Sequence, residues 1–289
     1  MKHRAILLVP FIAILFALSA LAAPVCEIKE ESKPFTFVVM GDSQALSGRY
    51  SPPPVFYEIT ADIAKLKPAF ILHTGDFVQG WGDMKKLKRQ YWEFVKVMNR
   101  TGVPYYLALG NHNGGSPEAH ALFEGLWHKT YYSFDHCNSH FLILDSTPGG
   151  EAHRISDEEF AWLKKDLEAA NGKYDHIFAA AHDPLYPVGI HTGTSLDKYP
   201  ERRDKLAALF RKYGVVYFAG HEHLFDHSVF NGVTQVITGG AGAGVVPSRK
   251  GVMGFHHFVM ITVNGRSAKI SVARPGSEPS VAVDLVPKR

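Results

Sequence analysis

Five short polar clusters hold the residues of this chain that could do chemistry. They read Gly41-Asp42-Ser43-Gln44, Gly75-Asp76, Gly110-Asn111-His112-Asn113, Ala181-His182-Asp183 and Gly220-His221-Glu222-His223. Asp, Asn, Gln and His bind metals through oxygen and nitrogen, and no cysteine sits among them. Such a donor set favours Mn, Fe, Zn, Mg or Ni-like sites over Cu(I) or iron–sulfur chemistry. Asp76 is the natural bridge between two cations, because each carboxylate oxygen has a free lone pair, and Gly75 lets the backbone turn sharply before it. Asp42 and Gln44 alternate on one face of an extended segment, so both can point at one metal. His221 and His223 have the same spacing and could serve two adjacent metals, with Asn111 and His182 as further ligands. Two cations about 3.5–4 Å apart would bind a bridging water, lower its pKa enough to make hydroxide, and take up charge from phosphoryl oxygens. His112, beside Asn111 and not needed as a ligand, could stabilise the transition state or protonate the leaving oxygen.

These clusters need rigid elements to position them. An apolar run precedes each one, at 35–40, 69–72, 103–109, 176–180 and 215–219, so each cluster falls where a strand ends. Strand ends are where an open α/β sheet gathers its site. Helical periodicity covers 55–65, 84–99, 156–170 and 201–213 between these runs. Ser156-Asp157-Glu158-Glu159 has the form of a capping box, and Gly172 and Gly214 are helix stops. A hairpin is expected over 131–135 and 140–145, and strands at 226–230, 233–238, 257–263, 268–273 and 281–286. Asn231-Gly232 and Asn264-Gly265 are turn dipeptides. The layout is α/β. The irregular stretches 48–54, 80–82, 148–154 and 184–199 each follow a strand end and would wall a substrate pocket. Arg49, Arg154, Tyr186 and His191 lie on them as candidate contacts for a phosphate or leaving group. His73 reads as a strand residue, and His120, His128, His136 and His140 as surface or hairpin residues. Of His256 and His257, at most one could face the site.

Lys2, Arg4 and the apolar run 5–18 before Ala20-Leu21-Ala22 have the form of a signal peptide cleaved after Ala22. That leaves 23–289 as a single domain. The alternative is an uncleaved anchor over 5–23, long enough to span a bilayer. Both place the folded part outside the cytoplasm, periplasmic or secreted, and cleavage would leave no stable membrane anchor. Removing Lys2 and Arg4 takes the formal charge from +3 to +1, 29 bases against 28 acids. That balance disfavours a nucleic-acid partner. The two cysteines, Cys26 and Cys137, either form one disulfide in an oxidising compartment or are unrelated thiols.

The ordered set Asp-x-Gln, Gly-Asp, Gly-Asn-His, His and Gly-His-x-His resembles the calcineurin-like metallophosphoesterase superfamily. The context of 67–76, the central hairpin up to Asp145-Ser146 and Phe160-Ala161-Trp162-Leu163 resembles it too. The resemblance implies a four-layer α-β-β-α sandwich with two mixed sheets and a dinuclear site at the sheet edge. It implies one metal held by Asp42, Gln44, Asp76 and His223, and a second held by Asp76, Asn111, His182 and His221, with His112 at the transition state. The expected activity is hydrolysis of small phosphoester substrates, phosphomonoesters favoured. The alternatives are a phosphodiesterase, a nucleotide-derivative pyrophosphatase, or a non-catalytic metal- or phosphate-binding protein of the same fold. Gln44 stands where much of the superfamily has His, which tilts that metal toward Mn, Fe or Mg. Asn113 stands where an acid usually follows Gly-Asn-His, and would orient His112 without raising its pKa. Phe77-Val78-Gln79-Gly80 lacks the Tyr ligand of purple acid phosphatases.

Overall fold

The computed structural model describes residues 33–45, 48–80, 83–248, 250–251 and 253–286. The expected leader 1–22, Cys26 and residues 81–82 of the irregular stretch 80–82 lie outside the described residues. The elements run β1 (Phe35–Met40), α1 (Pro54–Leu66), β2 (Ile71–His73), α2 (Met84–Asn99), β3 (Tyr105–Leu107), α3 (Pro117–Leu126), β4 (Tyr132–His136) and β5 (Ser139–Ile143). They continue with α4 (Asp157–Ala170), β6 (His176–Ala180), α5 (Pro200–Tyr213), β7 (Val216–Ala219), β8 (Phe225–Phe230), β9 (Val233–Thr238), β10 (Phe258–Asn264), β11 (Ser267–Ala273) and β12 (Val283–Asp284).

These strands form two six-stranded sheets, in the orders β12-β11-β10-β1-β2-β3 and β4-β5-β6-β7-β9-β8. Both are mixed. In the first, β1, β2 and β3 are parallel and β10 runs antiparallel to β1. In the second, β5, β6, β7 and β9 are parallel and β4 and β8 are antiparallel edges.

The period-2 alternation of the buried strands explains the layers. On β1, Phe37 and Val39 join Phe70, Phe141, Phe178 and Phe218 in a core shared by the two sheets. Val38 and Met40 point the other way, onto Phe56 of α1 and Phe94 of α2. On β5 and β6, Phe141 and Phe178 face the shared core. Leu142 and Ala179 instead face Leu163 of α4 and Phe210 of α5. The result is the expected α-β-β-α sandwich. Phe37 anchors its middle, with ring centroids 5.2 Å from Phe70, Phe141 and Phe178. Among the described residues no helix is long and apolar enough to cross a membrane.

Three local features differ from the sequence reading. Helix α3 carries no expectation from sequence, because it is short and Pro-led and packs only Ala119 and Phe123 into the core. The capping box is half made. Ser156 Oγ accepts the Glu159 N–H at 3.1 Å, but the Glu159 carboxylate turns into the core and accepts the Asp145 N–H at 2.8 Å. Burial, reinforced by Asp145, pushes the Glu159 carboxyl well above the usual carboxylate range. At the C-terminal edge, the strand expected over 281–286 shrinks to β12, which pairs only with β11.

His140 sits in the hairpin as expected, but as a buried tie rather than a surface residue. Its Nδ1 is 2.6 Å from Asp135 Oδ1 and its Nε2 2.8 Å from Asp166 Oδ2 on α4. Burial alone would lower its pKa, but the hydrogen bonds and charges of Asp166 and Asp135 outweigh burial and raise it. Its contribution to stability is therefore full below the unfolded value of about 6.5 and is lost as pH rises through the higher folded value. His140→Gln is expected to cost about 1–3 kcal/mol at pH 6 and less at pH 9, measured by urea unfolding at both. An equal loss at the two pH values would contradict the charged tie.

Candidate metal centre

The sequence clusters meet at one edge of the sandwich. Asp42 follows β1, Asp76 follows β2 and Asn111 follows β3, all in the first sheet. His182 follows β6 and His221 follows β7, both in the second. The parallel strands aim these ends the same way, so ligands from both sheets converge.

Three of these residues leave their strands in the left-handed region, Asp42 at φ 60°, Asp76 at φ 50° and His221 at φ 67°. That conformation costs an L-residue roughly 1–2 kcal/mol and persists only where the surroundings enforce it. Here the Asp42 N–H donates to Gly75 O at 3.1 Å, and the Gly220 N–H donates to His182 O at 2.9 Å. The Asp42 carboxylate accepts the His221 N–H at 3.0 and 3.2 Å. The glycine before a ligand is a matter of space. A Cβ on Gly110 would lie 2.1 Å from Asp76 Oδ1, and one on Gly220 2.4 Å from Asp42 Oδ2.

The side chains form two adjoining groups around Asp76. In one, His182 Nε2 is 3.2 Å from Asp76 Oδ2, 2.9 Å from Asn111 Oδ1 and 3.2 Å from His221 Nδ1. In the other, His223 Nε2 is 3.4 Å from Asp42 Oδ1 and 3.5 Å from the Gln44 side-chain amide. Asp42, Asp76 and His182 offer ligand atoms within 4.8 Å of one another, as a metal requires.

Backbone carbonyls fix the tautomer of each histidine, since a carbonyl only accepts. His182 Nδ1–H donates to Thr74 O at 3.0 Å, His221 Nε2–H to Thr194 O at 2.7 Å and His223 Nδ1–H to Gly244 O at 2.8 Å. The remaining nitrogens thus turn lone pairs inward, His182 Nε2 toward Asp76, His223 Nε2 toward Asp42 and His221 Nδ1 toward His182 Nε2, the usual arrangement behind a metal-binding imidazole. Gln44 Oε1 is buried with no hydrogen-bond partner. The oxygen and nitrogen of an amide are interchangeable by rotation, so Gln44 can present that oxygen beside His223. An orphaned buried acceptor and lone pairs crowded on two buried carboxylates are what a cation would resolve. The residues present fit a metal pair.

Without a metal the cluster holds protons instead. Burial would raise Asp76, but the charge and hydrogen bond of His182, and then His112, outweigh it and hold the carboxyl well below its usual range. Burial would lower His182, yet Asp76, helped by Asp42 and Asp183, lifts it to about 10. Burial pushes His221 down to about 4 against the opposing pull of Asp183.

His112 stands at the rim. Its N–H donates to Asp76 Oδ1 at 2.9 Å, and its Nε2 lies 3.8 Å from Asp76 Oδ2. The expectation that Asn113 orients this ring is not met. Asn113 is fully buried, and its Oδ1 accepts the Gly110 N–H across the turn at 3.4 Å. Gln79 holds the ring instead, its side-chain amide 2.9 Å from His112 Nδ1. Among the loop candidates, His191 reaches the cluster, with ring centroids 4.2 Å from His221 and 6.3 Å from His223. Tyr186 packs on Phe230, under the Arg203 guanidinium, and its hydroxyl accepts from Asn231. Arg154 pairs with Glu151 at 2.5 Å, and the Arg49 carbonyl accepts from Gln90. His73 donates or accepts at Ser43 Oγ, 2.9 Å away, behind the ligands. His256 and His257 engage the carbonyls of Gly240 and Phe255.

Sequence reasoning gave no role to Asp183 or His153. Asp183 Oδ1 is 3.1 Å from His153 Nδ1 and 3.6 Å from His221 Nε2, so a buried carboxylate backs a ligand histidine. Asp183 abuts His182 in its cluster, a signal already visible. His153 arrives from the 148–154 loop, in a left-handed conformation at φ 76°.

Comparison with known proteins places this geometry. The family model described as calcineurin-like phosphoesterase matches residues 27–225. A bovine relative, "Serine/threonine-protein phosphatase CPPED1" of Bos taurus, is 27% identical over 187 residues. The alignment covers 61% of this chain and 60% of the bovine one, so the chain spans about three fifths of that relative. Among solved structures, purple acid phosphatase PPD1 from yellow lupin (Lupinus luteus) superposes with a TM-score of 0.67 at 20% identity, covering 85% of this chain and 52% of that one. A dimetal phosphatase from Danio rerio superposes with a TM-score of 0.63 at 13% identity, covering 87% and 99%. At such identities the likeness of the two structures is one of fold.

Proposed function

Because the chain belongs to the calcineurin-like phosphoesterase family, we propose that it is a dinuclear-metal phosphomonoesterase exported from the cytoplasm. The observation that carries the reading is the convergence of tautomer-fixed imidazoles and the orphaned Gln44 oxygen on two buried carboxylates. Asp42, Gln44, Asp76 and His223 would hold one metal, and Asp76, Asn111, His182 and His221 the other. The oxygen- and nitrogen-only donors suit Mn, Fe, Zn or Mg. Such a pair supplies a water of lowered pKa and charge withdrawal from phosphoryl oxygens.

The chain's own residues do the rest. Asp76 shares its carboxylate between the two groups and fixes His112 through the backbone N–H. Gln79 holds the ring from the Nδ1 side, through its side-chain amide at 2.9 Å and its backbone carbonyl at 3.3 Å, and so leaves Nε2 turned toward the cluster. A proton carried on Nε2, which lies 3.8 Å from Asp76 Oδ2, can hydrogen-bond a phosphoryl oxygen or the leaving oxygen as charge builds. His191 also rims the cluster, against the rings of His221 and His223. Export rests on the leader-like residues 1–22 and is checked by N-terminal sequencing of the mature protein.

The test is turnover of an aryl phosphate and an aryl phosphodiester by protein loaded with Mn, Fe or Zn. Monoester turnover with any metal supports the reading, and none with every metal overturns it. His112→Ala is expected to lower kcat by about 100- to 1,000-fold while both metals stay bound by elemental analysis. Loss of metal in that variant would make His112 a ligand rather than a catalyst.

A further inference from the structure

A cavity of about 270 Å3 opens beside His112, lined by Asp83, Met84, Leu87, Asn111, His112 and Ala119. Its far walls are the first turns of α2 and α3. Asn111 and His112 form its near wall, and His112 in turn lies 3.8 Å from Asp76. The cavity therefore begins where the ligand cluster ends.

Helix starts ordinarily attract anions, but both of these are already occupied. The Asp83 carboxylate accepts the N–H groups of Lys85 and Lys86 at 2.9 and 3.0 Å. Ser116 Oγ accepts the Ala119 N–H at 3.2 Å. Asp83 also adds a negative charge of its own at the rim. Met84, Leu87 and Ala119 supply an apolar strip between the two helix starts, about half of a wall otherwise polar, and Leu87 and Ala119 continue into the core around α1, α2 and α3. Size narrows the ligand further. An apolar cavity of about 150 Å3 already accepts benzene, while pockets enclosing drug-sized ligands begin near about 300 Å3. The space suits one substituted ring or a short alkyl group.

We infer that this cavity is the leaving-group subsite, and that it selects phosphate esters of compact, uncharged alcohols and phenols. The inference rests on the phosphoesterase reading of the adjoining site. A phosphoryl group on the metal ligands with its ester oxygen at His112 directs the organic group between the two helix starts. The strip of Met84, Leu87 and Ala119 packs against it there, and Asp83 repels a second anionic group.

The experiment compares binding of inorganic phosphate, phenylphosphonate and 4-carboxyphenylphosphonate to the metal-loaded protein by calorimetry. Phenylphosphonate is expected to bind about 10- to 100-fold tighter than phosphate, the worth of burying a ring-sized apolar surface, and the carboxylated analogue more weakly than phenylphosphonate. Ala119→Leu and Met84→Trp, which fill the cavity from its two helices, should each remove the phenyl advantage and leave phosphate affinity within about twofold. Two variants guard against one failing to fold, checked by circular dichroism. A wild-type protein with no preference for phenylphosphonate over phosphate overturns the subsite, as does a preference kept in either folded variant. The two readings fail separately. Binding as expected without turnover of any ester removes the enzyme reading and keeps the subsite. Turnover of aryl phosphates with selectivity unchanged in both variants removes the subsite and keeps the enzyme.

Discussion

Replacing Asp76 by alanine is expected to lower kcat/KM for an aryl phosphate by at least about 1,000-fold and to leave the chain with fewer than two metals after reconstitution. The size follows from how many interactions end on one carboxylate. Asp76 contacts His182 at 3.2 Å, accepts the His112 N–H at 2.9 Å, and sits within ligand distance of Asp42. Removing it takes a shared ligand from both groups, and each donor or electrophile lost from such a site costs roughly 100- to 1,000-fold. It also releases the backbone that aims His112. Backbone strain at φ 50° is not relieved, because alanine tolerates the left-handed region less well than aspartate does. Elemental analysis with steady-state kinetics checks both halves. Full metal content with normal turnover would remove Asp76 from the centre of the mechanism.

Metal affinity is expected to climb about tenfold per pH unit between pH 6 and 9. His182, lifted to about 10 by Asp76, carries a proton at neutral pH in the metal-free protein, and a cation at its Nε2 must displace that proton. His221, pushed to about 4, is already neutral and needs no displacement. His182 should thus release about one proton per chain on loading at pH 8, measured by calorimetry in buffers of different ionisation enthalpy. Burial would lower His223, but its Asp42 hydrogen bond raises it, so His223 adds to that release as pH falls. The sign for stability runs with the raised value. The protonated His182 stabilises the metal-free fold fully below about 6.5, and that contribution is lost as pH rises through about 10. Metal-free protein should weaken across that window in chemical denaturation. Chelator competition giving one affinity from pH 6 to 9 would contradict proton displacement.

The ligand set was legible because the fold writes it contiguously. Each donor directly follows an apolar run, and a glycine precedes most of them where no Cβ fits, as at Gly110 and Gly220. The same alternation that put Phe37 inward and Val38 outward on β1 disclosed the two-sheet core. What escaped depends on chain segments meeting far apart in sequence. Gln79 grips His112 across 33 residues, and Asp183 reaches His153 across 30. Nothing local marks either contact. Glu159 fits the capping pattern of its helix, yet burial beside Asp145 claims the carboxylate. Asn113 likewise serves its own turn rather than the neighbouring ring, because closing a tight loop on Gly110 satisfies a buried donor that would otherwise go unpaired. Helix α3 lacked both length and a strong apolar stripe.

One group of ligands draws Asp76 and Asn111 from the first sheet and His182 and His221 from the second. A cation held there is a rivet through two plates. The plates are kept apart by phenylalanine rings, Phe37 of the first sheet meeting Phe141 and Phe178 of the second edge to face at 5.2 Å. The thickness of that aromatic filling, in a close-packed interior that transmits strain, is therefore also the gauge of the reaction chamber. A lost ring deep in the sandwich would change the bite of the centre without touching a single donor, and a filled centre would resist the plates sliding past one another.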